Sequence, residues 1–332
     1  MNVRELLWAN AGAASTRALP ILSFPAIQKM DATVRELVAS PELQARAMEI
    51  IAHQTQTLAA VSLMDLSVEA EAFGAKVVFS DHEVPTVMGQ LVEDEDDAQE
   101  LEVPPLSAGR AALCVEGVRQ AKALITDKPV LAGMIGPYSL AGRLMDVTEI
   151  MYTCYDEPET VHAVLEKVTQ YLIAYGTAFR EAGADGVVMA EPLAGILSPE
   201  MAEEFSMPYV KRIFDALKTD SFAVIYHNCG NSVEHMLEGI FALDADAYHF
   251  GNASDMEKVL AAAPENALCM GNIDPAGAFV HGTPESMTAA VQDLAARCGR
   301  YPNFVLSSGC DIPATASWDN IRAFFDAAAD RG

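Results

Sequence analysis

Short, continuously apolar runs alternate with longer stretches of helical periodicity along most of this chain, and that alternation leaves few architectures open. The runs are Ala18–Phe24, Ala59–Leu66, Pro129–Ile135, Gly186–Ala190, Phe222–Tyr226, Ala245–Phe250, Ala267–Met270 and Phe304–Ser307. Helical stretches lie between them: Pro158–Ala182, Pro199–Leu217, Val233–Leu243, Met256–Ala263, Pro284–Cys298 and Trp318–Ala329. A strand that is apolar along its whole length is buried on both faces, which means a parallel sheet covered by helices. Eight such units predict an α/β fold of the closed (β/α)8 TIM-barrel type. An open doubly wound sheet is the alternative, but no Gly-x-Gly-x-x-Gly follows the first run. Ser40-Pro41-Glu42 supplies a capping serine and a first-turn proline for an early helix. Residues 1 to about 58 are therefore expected to be a largely helical N-terminal extension of a single domain over residues 1–332.

The charge balance narrows function. Forty-seven acidic residues against 21 basic ones give a net charge of −26. A surface this anionic repels phosphate backbones and anionic lipid, and no Lys/Arg cluster offsets it locally, so nucleic acid and membrane are excluded as partners. No apolar run approaches the roughly 20 residues of a membrane helix, and Met1–Leu7 carries an acid where a signal peptide would not. Six cysteines in 332 residues do not make a disulfide framework and predict a reducing, cytoplasmic location. The acidic run Glu93–Asp97 is expected to be a solvated loop or helix start.

In a barrel the reactive groups sit where strands exit at their C-terminal ends. Those exits are dense in His, Cys, carboxylates and Gly: Glu191-Pro192, Tyr226 to Asn231, Tyr248 to Asn252, Met270 to Pro275, and Ser307 to Pro313. His227 and Cys229 share an i,i+2 spacing at one exit, and Cys310 leaves another across the same mouth. One imidazole and two thiolates form a soft donor set suited to Zn²⁺, with a fourth position left for substrate or water. Cys114, Cys154, Cys269 and Cys298 fall within helices or a strand and read as small buried hydrophobes. Glu191 and Asp274 are the rim carboxylates. They are the candidate catalytic groups, by orienting substrate or supporting an imidazole, with loop capping the alternative.

The stretches His227-Asn228-Cys229-Gly230-Asn231 and Ser308 to Pro313, with Met64 to Gly74 and Gly271 to Pro275, resemble the uroporphyrinogen decarboxylase superfamily. More narrowly they are similar to its zinc-dependent cobamide:thiol methyltransferases, over roughly residues 15 to 330. The resemblance implies a barrel in which His227, Cys229 and Cys310 hold zinc. It further implies a methyl-cobamide donor, a small-molecule thiol acceptor and a separate corrinoid protein as partner. It also implies a further ligand after the Ala245–Phe250 run, an acid in the coenzyme M branch. Here that stretch is Tyr248-His249-Phe250-Gly251-Asn252, leaving His249 or water as the candidate fourth ligand. The decarboxylases of the superfamily carry an arginine-bearing N-terminal motif for the substrate's carboxylates. The matching stretch here, Leu19 to Ile27, contains no arginine, and unpaired buried carboxylates cost several kcal/mol each. Decarboxylation and non-catalytic corrinoid binding are the two alternatives to methyl transfer.

Overall fold

The computed structural model describes residues 2–12 and 17–330. Its strands are β1 (Ala60–Val61), β2 (Lys76–Val78), β3 (Thr86–Met88), β4 (Val130–Ile135), β5 (Gly186–Ala190), β6 (Ala223–Asn228), β7 (Ala247–Phe250), β8 (Cys269–Ile273) and β9 (Phe304–Ser308). β1 and β4 to β9 form one parallel sheet, bonded in sequence order, while β2 and β3 make a separate antiparallel hairpin. Helices separate the consecutive parallel strands. The result is an α/β, TIM-barrel-like fold.

The sheet has seven strands where the sequence pattern predicts eight, and the difference lies at Ala18–Phe24. Ala18 makes one parallel bridge to Thr57. The Leu58 N–H donates to the Ala18 carbonyl at 2.9 Å, and the Leu19 N–H donates to the Leu306 carbonyl of β9 at 3.0 Å. The segment thus lies in the seam between β9 and the approach to β1 without a continuous ladder. Pro20 has no N–H to give to such a ladder, and Pro25 opens the 3-10 helix Phe24–Lys29 immediately afterwards.

Side chains alternate along the strands between two environments. Val188, Ala223, Ile225, Ala247, Met270 and Val305 make one buried cluster on the lumen side. Their neighbours Val187, Val224, Tyr248, Cys269 and Leu306 pack outward in a larger cluster with the helices. Val3 and Leu7 of the helix Val3–Ala9 join the inner cluster. Asn2 bonds the Asp220 carbonyl and Arg4 pairs with Asp246, both just ahead of strand starts. The first helix therefore plugs the N-terminal end of the lumen.

Two of the expected helices are broken, one of them at a proline. Pro199–Leu217 divides at Ser206 into Pro199–Phe205 and Met207–Leu217, because Pro208 cannot donate to the preceding turn. Val233–Leu243 is a 3-10 turn, Val233–His235, followed by the short helix Leu237–Phe241. The acidic run starts the helix Glu95–Glu100, whose first turn Asp94 caps by accepting the Asp97 N–H at 3.0 Å. Among the described residues no helix is long and apolar enough to cross a membrane.

Candidate metal centre

Continuing the alternation of Ala223 and Ile225 brings His227 to the lumen face at the end of β6; by the same count Ala247 leads to His249 and Val305 to Ser307. The next turn is shaped by Asn228, whose Oδ1 accepts the Gly230 N–H at 2.9 Å while its Nδ2 donates to the Tyr226 hydroxyl at 3.0 Å. A Cβ on Gly230 would lie 2.4 Å from the Gly195 Cα, so close backbone approach demands glycine there. β9 ends at Ser308, and Cys310 follows across the mouth.

The Cys310 Sγ lies 3.4 Å from His227 Nε2 and 3.8 Å from Cys229 Sγ, and the three ligand atoms fall within 4.8 Å of one another. Tetrahedral zinc, about 2.3 Å from sulfur and about 2.0 Å from nitrogen, requires an S–S separation of about 3.8 Å and an N–S separation of about 3.5 Å. Two of the three separations match these values, and one imidazole with two thiols suits zinc in chemistry. Without metal, the Cys310 thiol donates to Cys229, which holds Cys310 above and Cys229 below the usual thiol range.

His249 does not join this cluster. It pairs directly with His227 across β6 and β7 and stands behind it, ring edge to face. Its Nδ1 lies 2.7 Å from His227 Nδ1 and its Nε2 2.7 Å from Ser307 Oγ, so neither nitrogen is left for a metal. The two rim carboxylates also do other work. Glu191 is fully buried and accepts the Tyr138 and Ser139 N–H groups at 3.0 and 2.6 Å, capping the helix Pro137–Met145. Burial, opposed by these bonds, pushes its carboxyl up to about 7. Asp274 is exposed and accepts the Ala276 and Gly277 N–H groups at 2.9 Å in its own loop. It lines a cleft of about 660 Å³ that includes Asn252, Lys258, Asn272 and Arg297 but neither Cys229 nor Cys310.

The remaining histidines lie away from the cluster: His53, His82, His235 and His281 are exposed, and His162 bonds the Tyr209 hydroxyl at 2.7 Å. Cys154, Cys269 and Cys298 are buried and Cys114 half-buried, and burial pushes their thiols up to about 11 or 12.

A second polar cluster at the β1 exit goes beyond the residues singled out from sequence. Arg110 is buried and donates to Asp65 at 2.5 Å, to Glu71 at 2.6 Å and to the Ser67 hydroxyl at 2.8 Å. Beside it Glu69 Oε1 accepts the Ile135 N–H at 2.9 Å, while Oε2 is buried without a partner. The signal was present in three acids, Asp65, Glu69 and Glu71, inside an otherwise apolar stretch. Burial pushes Glu69 up to about 7 from 4.5. The folded state thus favours the neutral acid: the stabilisation is complete below pH about 4.5 and is lost as pH rises through about 7. Glu69→Gln is expected to remove up to about 3 kcal/mol of pH-dependent stability over that window. Melting curves of both proteins at pH 5 and pH 8 check this; equal slopes would contradict it.

Comparison with known proteins gives relatives of two kinds. The uroporphyrinogen decarboxylase (URO-D) family profile matches residues 20–331. The methylcobamide:CoM methyltransferase MtbA of Methanosarcina acetivorans is 28% identical over 334 residues, covering 94% of each chain. The uroporphyrinogen decarboxylase of Anaeromyxobacter dehalogenans is 28% identical over 304 residues, covering 88% of this chain and 86% of its own. Among solved structures, a methyltransferase from Methanosarcina mazei superposes with a TM-score of 0.86 at 21% identity, covering 98% of this chain and 97% of its own.

Proposed function

The chain belongs to the uroporphyrinogen decarboxylase (URO-D) family, and we propose that within it the chain is a zinc-dependent methyltransferase moving a methyl group from a methylated corrinoid to a thiol. The observation that carries this reading is the convergence of His227, Cys229 and Cys310, whose ligand atoms lie within 4.8 Å of one another at the barrel mouth. Similarity to a methylcobamide:CoM methyltransferase over nearly the whole chain supports it.

Zinc, when bound, would hold an incoming thiol as its thiolate near neutral pH. His227 supplies a neutral nitrogen, and the two cysteines bring negative charge that favours a nucleophilic sulfur over an acidic water. The apolar lumen beneath the cluster, from Val188, Ile225 and Met270, excludes water from that side. In the transfer itself a carbon–sulfur bond forms as the cobalt–carbon bond of the methyl-cobamide breaks. The electron pair leaves with cobalt as Co(I), and the thiol's proton goes to solvent. We read the whole chain as one cytoplasmic domain, a (β/α)8 barrel whose eighth place the seam segment Ala18–Ile21 takes. A corrinoid protein is its docking partner.

Decarboxylation fits the site less well. Leu19 to Ala26 is buried, bears no arginine, and cannot greet a polycarboxylate. Glu191 accepts the Tyr138 and Ser139 N–H groups and Asp274 those of Ala276 and Gly277. Incubating the zinc-loaded protein with methylcobalamin and a panel of thiols, coenzyme M among them, is the test. The expected result is loss of the methyl-Co(III) spectrum with formation of a thioether. No demethylation above background with any thiol, or turnover of uroporphyrinogen to coproporphyrinogen, would overturn the reading.

A further inference from the structure

We propose that His249 and Ser307 are positioning residues for the metal: a hydrogen-bond chain from the Leu19 carbonyl through both side chains fixes the proton of His227 on Nδ1 and leaves Nε2 bare toward Cys229 and Cys310. The proposal rests on the metal role of that cluster and adds to it the residues that prepare the histidine.

The direction of each bond follows from the one before it. A carbonyl only accepts, so Ser307 Oγ, 2.6 Å from the Leu19 oxygen, donates its proton there. That uses the only proton Ser307 has. His249 Nε2, 2.7 Å from Ser307 Oγ, must therefore be the donor of the second bond. No carboxylate among the described residues bonds either ring, and an unpaired buried imidazolium is costly, so each ring carries one proton. His249 Nδ1 is then a bare acceptor, and His227 Nδ1, 2.7 Å away, donates to it. The His249 backbone carbonyl lies 3.3 Å from the same His227 nitrogen and, as an acceptor, demands the same tautomer. What remains on His227 is a lone pair at Nε2, 3.4 Å from Cys310 Sγ.

The Leu19 carbonyl can set this direction because the seam holds it in place. Leu19 itself donates to Leu306, and the adjacent Ser308 hydroxyl accepts the Ile21 N–H at 3.1 Å. Two consecutive serines thus bind the seam segment, one of them as the first member of the relay. Residues behind a metal-bound imidazole commonly change metal affinity 10–100-fold when removed. Here the His249 carbonyl stays as a fallback acceptor, which places the expected loss for a side-chain change near tenfold.

Two measurements test the proposal, and neither needs a substrate. Nitrogen chemical shifts of histidine-labelled, metal-free protein are expected to show His227 protonated at Nδ1 and His249 at Nε2. Zinc affinity, measured by competition with a chromophoric chelator, is expected to fall about tenfold in Ser307→Ala and His249→Phe and to recover in Ser307→Thr. A purely structural role for Ser307 would lower the melting temperature without moving the His227 tautomer or the zinc affinity. His227 protonated at Nε2 in the wild type, or unchanged zinc affinity in a folded Ser307→Ala, overturns the proposal. A wild type with the expected tautomers and zinc affinity but no methyl transfer would sink the methyltransferase reading and leave this one standing.

Discussion

Cys310→Ala is expected to abolish zinc binding and methyl transfer together while leaving the fold nearly untouched. Structural zinc sites are worth about 10–16 kcal/mol at neutral pH, and an even share among three protein ligands assigns about 3 kcal/mol or more to each. The affinity should fall by at least about a hundredfold, taking occupancy and activity with it. Stability behaves differently. Cys310 is half-buried at the rim and belongs to neither hydrophobic cluster, so its truncation should cost about 0.5 kcal/mol or less in the metal-free protein. Elemental analysis beside a thermal melt of the metal-free variant reads both halves. A variant that keeps full zinc occupancy would show that the thiol is not a ligand. One that loses zinc by unfolding would show that the residue holds the fold instead.

Arg110→Met should have the largest effect on stability. The guanidinium joins Asp65, Glu71 and Ser67, all at the β1 exit, and also lies 4.8 Å from the centre of the Phe79 ring. Removing it strands the buried Asp65 without its cation, and breaking a buried pair from one side costs about 3–5 kcal/mol. For a chain of this size that lowers the melting temperature by roughly 6 °C or more, at 2–4 °C per kcal/mol for domains somewhat smaller. Adding Asp65→Asn and Glu71→Gln should return most of the loss, because replacing both partners is far cheaper than orphaning one. A single variant as stable as the wild type would mean that the network contributes nothing net.

The convergence of His227, Cys229 and Cys310 was legible because it depends only on local geometry. An i,i+2 pair at a strand exit shares one face, and a third residue at another exit of a barrel faces the same mouth. What His249 does was not legible. Spacing brings it to the right height, but its neighbours are fixed by register: His227 opposite it on β6, and Ser307 two strands away. Sequence offered it as a ligand because a polar residue after a strand looks the same whether it points at a metal or at another ring. Glu191 illustrates the same ambiguity, since only the path of the following helix makes its carboxylate a cap. Most strands were visible as apolar runs. The eighth was over-read, because Ala18–Phe24 has the composition of a strand but carries Pro20 where a ladder needs a donor. The network at Arg110 joins residues 39 to 45 positions apart, beyond the reach of any periodicity.

The seam between β9 and β1 also has a consequence for the order in which the chain assembles. The bonds that fill it, from Ile21 to Ser308 and from Ser307 to Leu19, join residues 287 and 288 positions apart. Contacts of such separation carry the largest loop-closure cost and come late. A chain still being synthesised already has Ala18–Ile21 beside the approach to β1 but lacks β9, so the far side of the seam segment stays unpaired until the last strand arrives. Ser307, one of the two residues proposed to orient His227, sits on that closing seam, while His249 stands on β7. On the proposed roles, competence to take up metal is expected only once β9 is in place, because a chain that lacks it has neither Ser307 nor Cys310 beside His227.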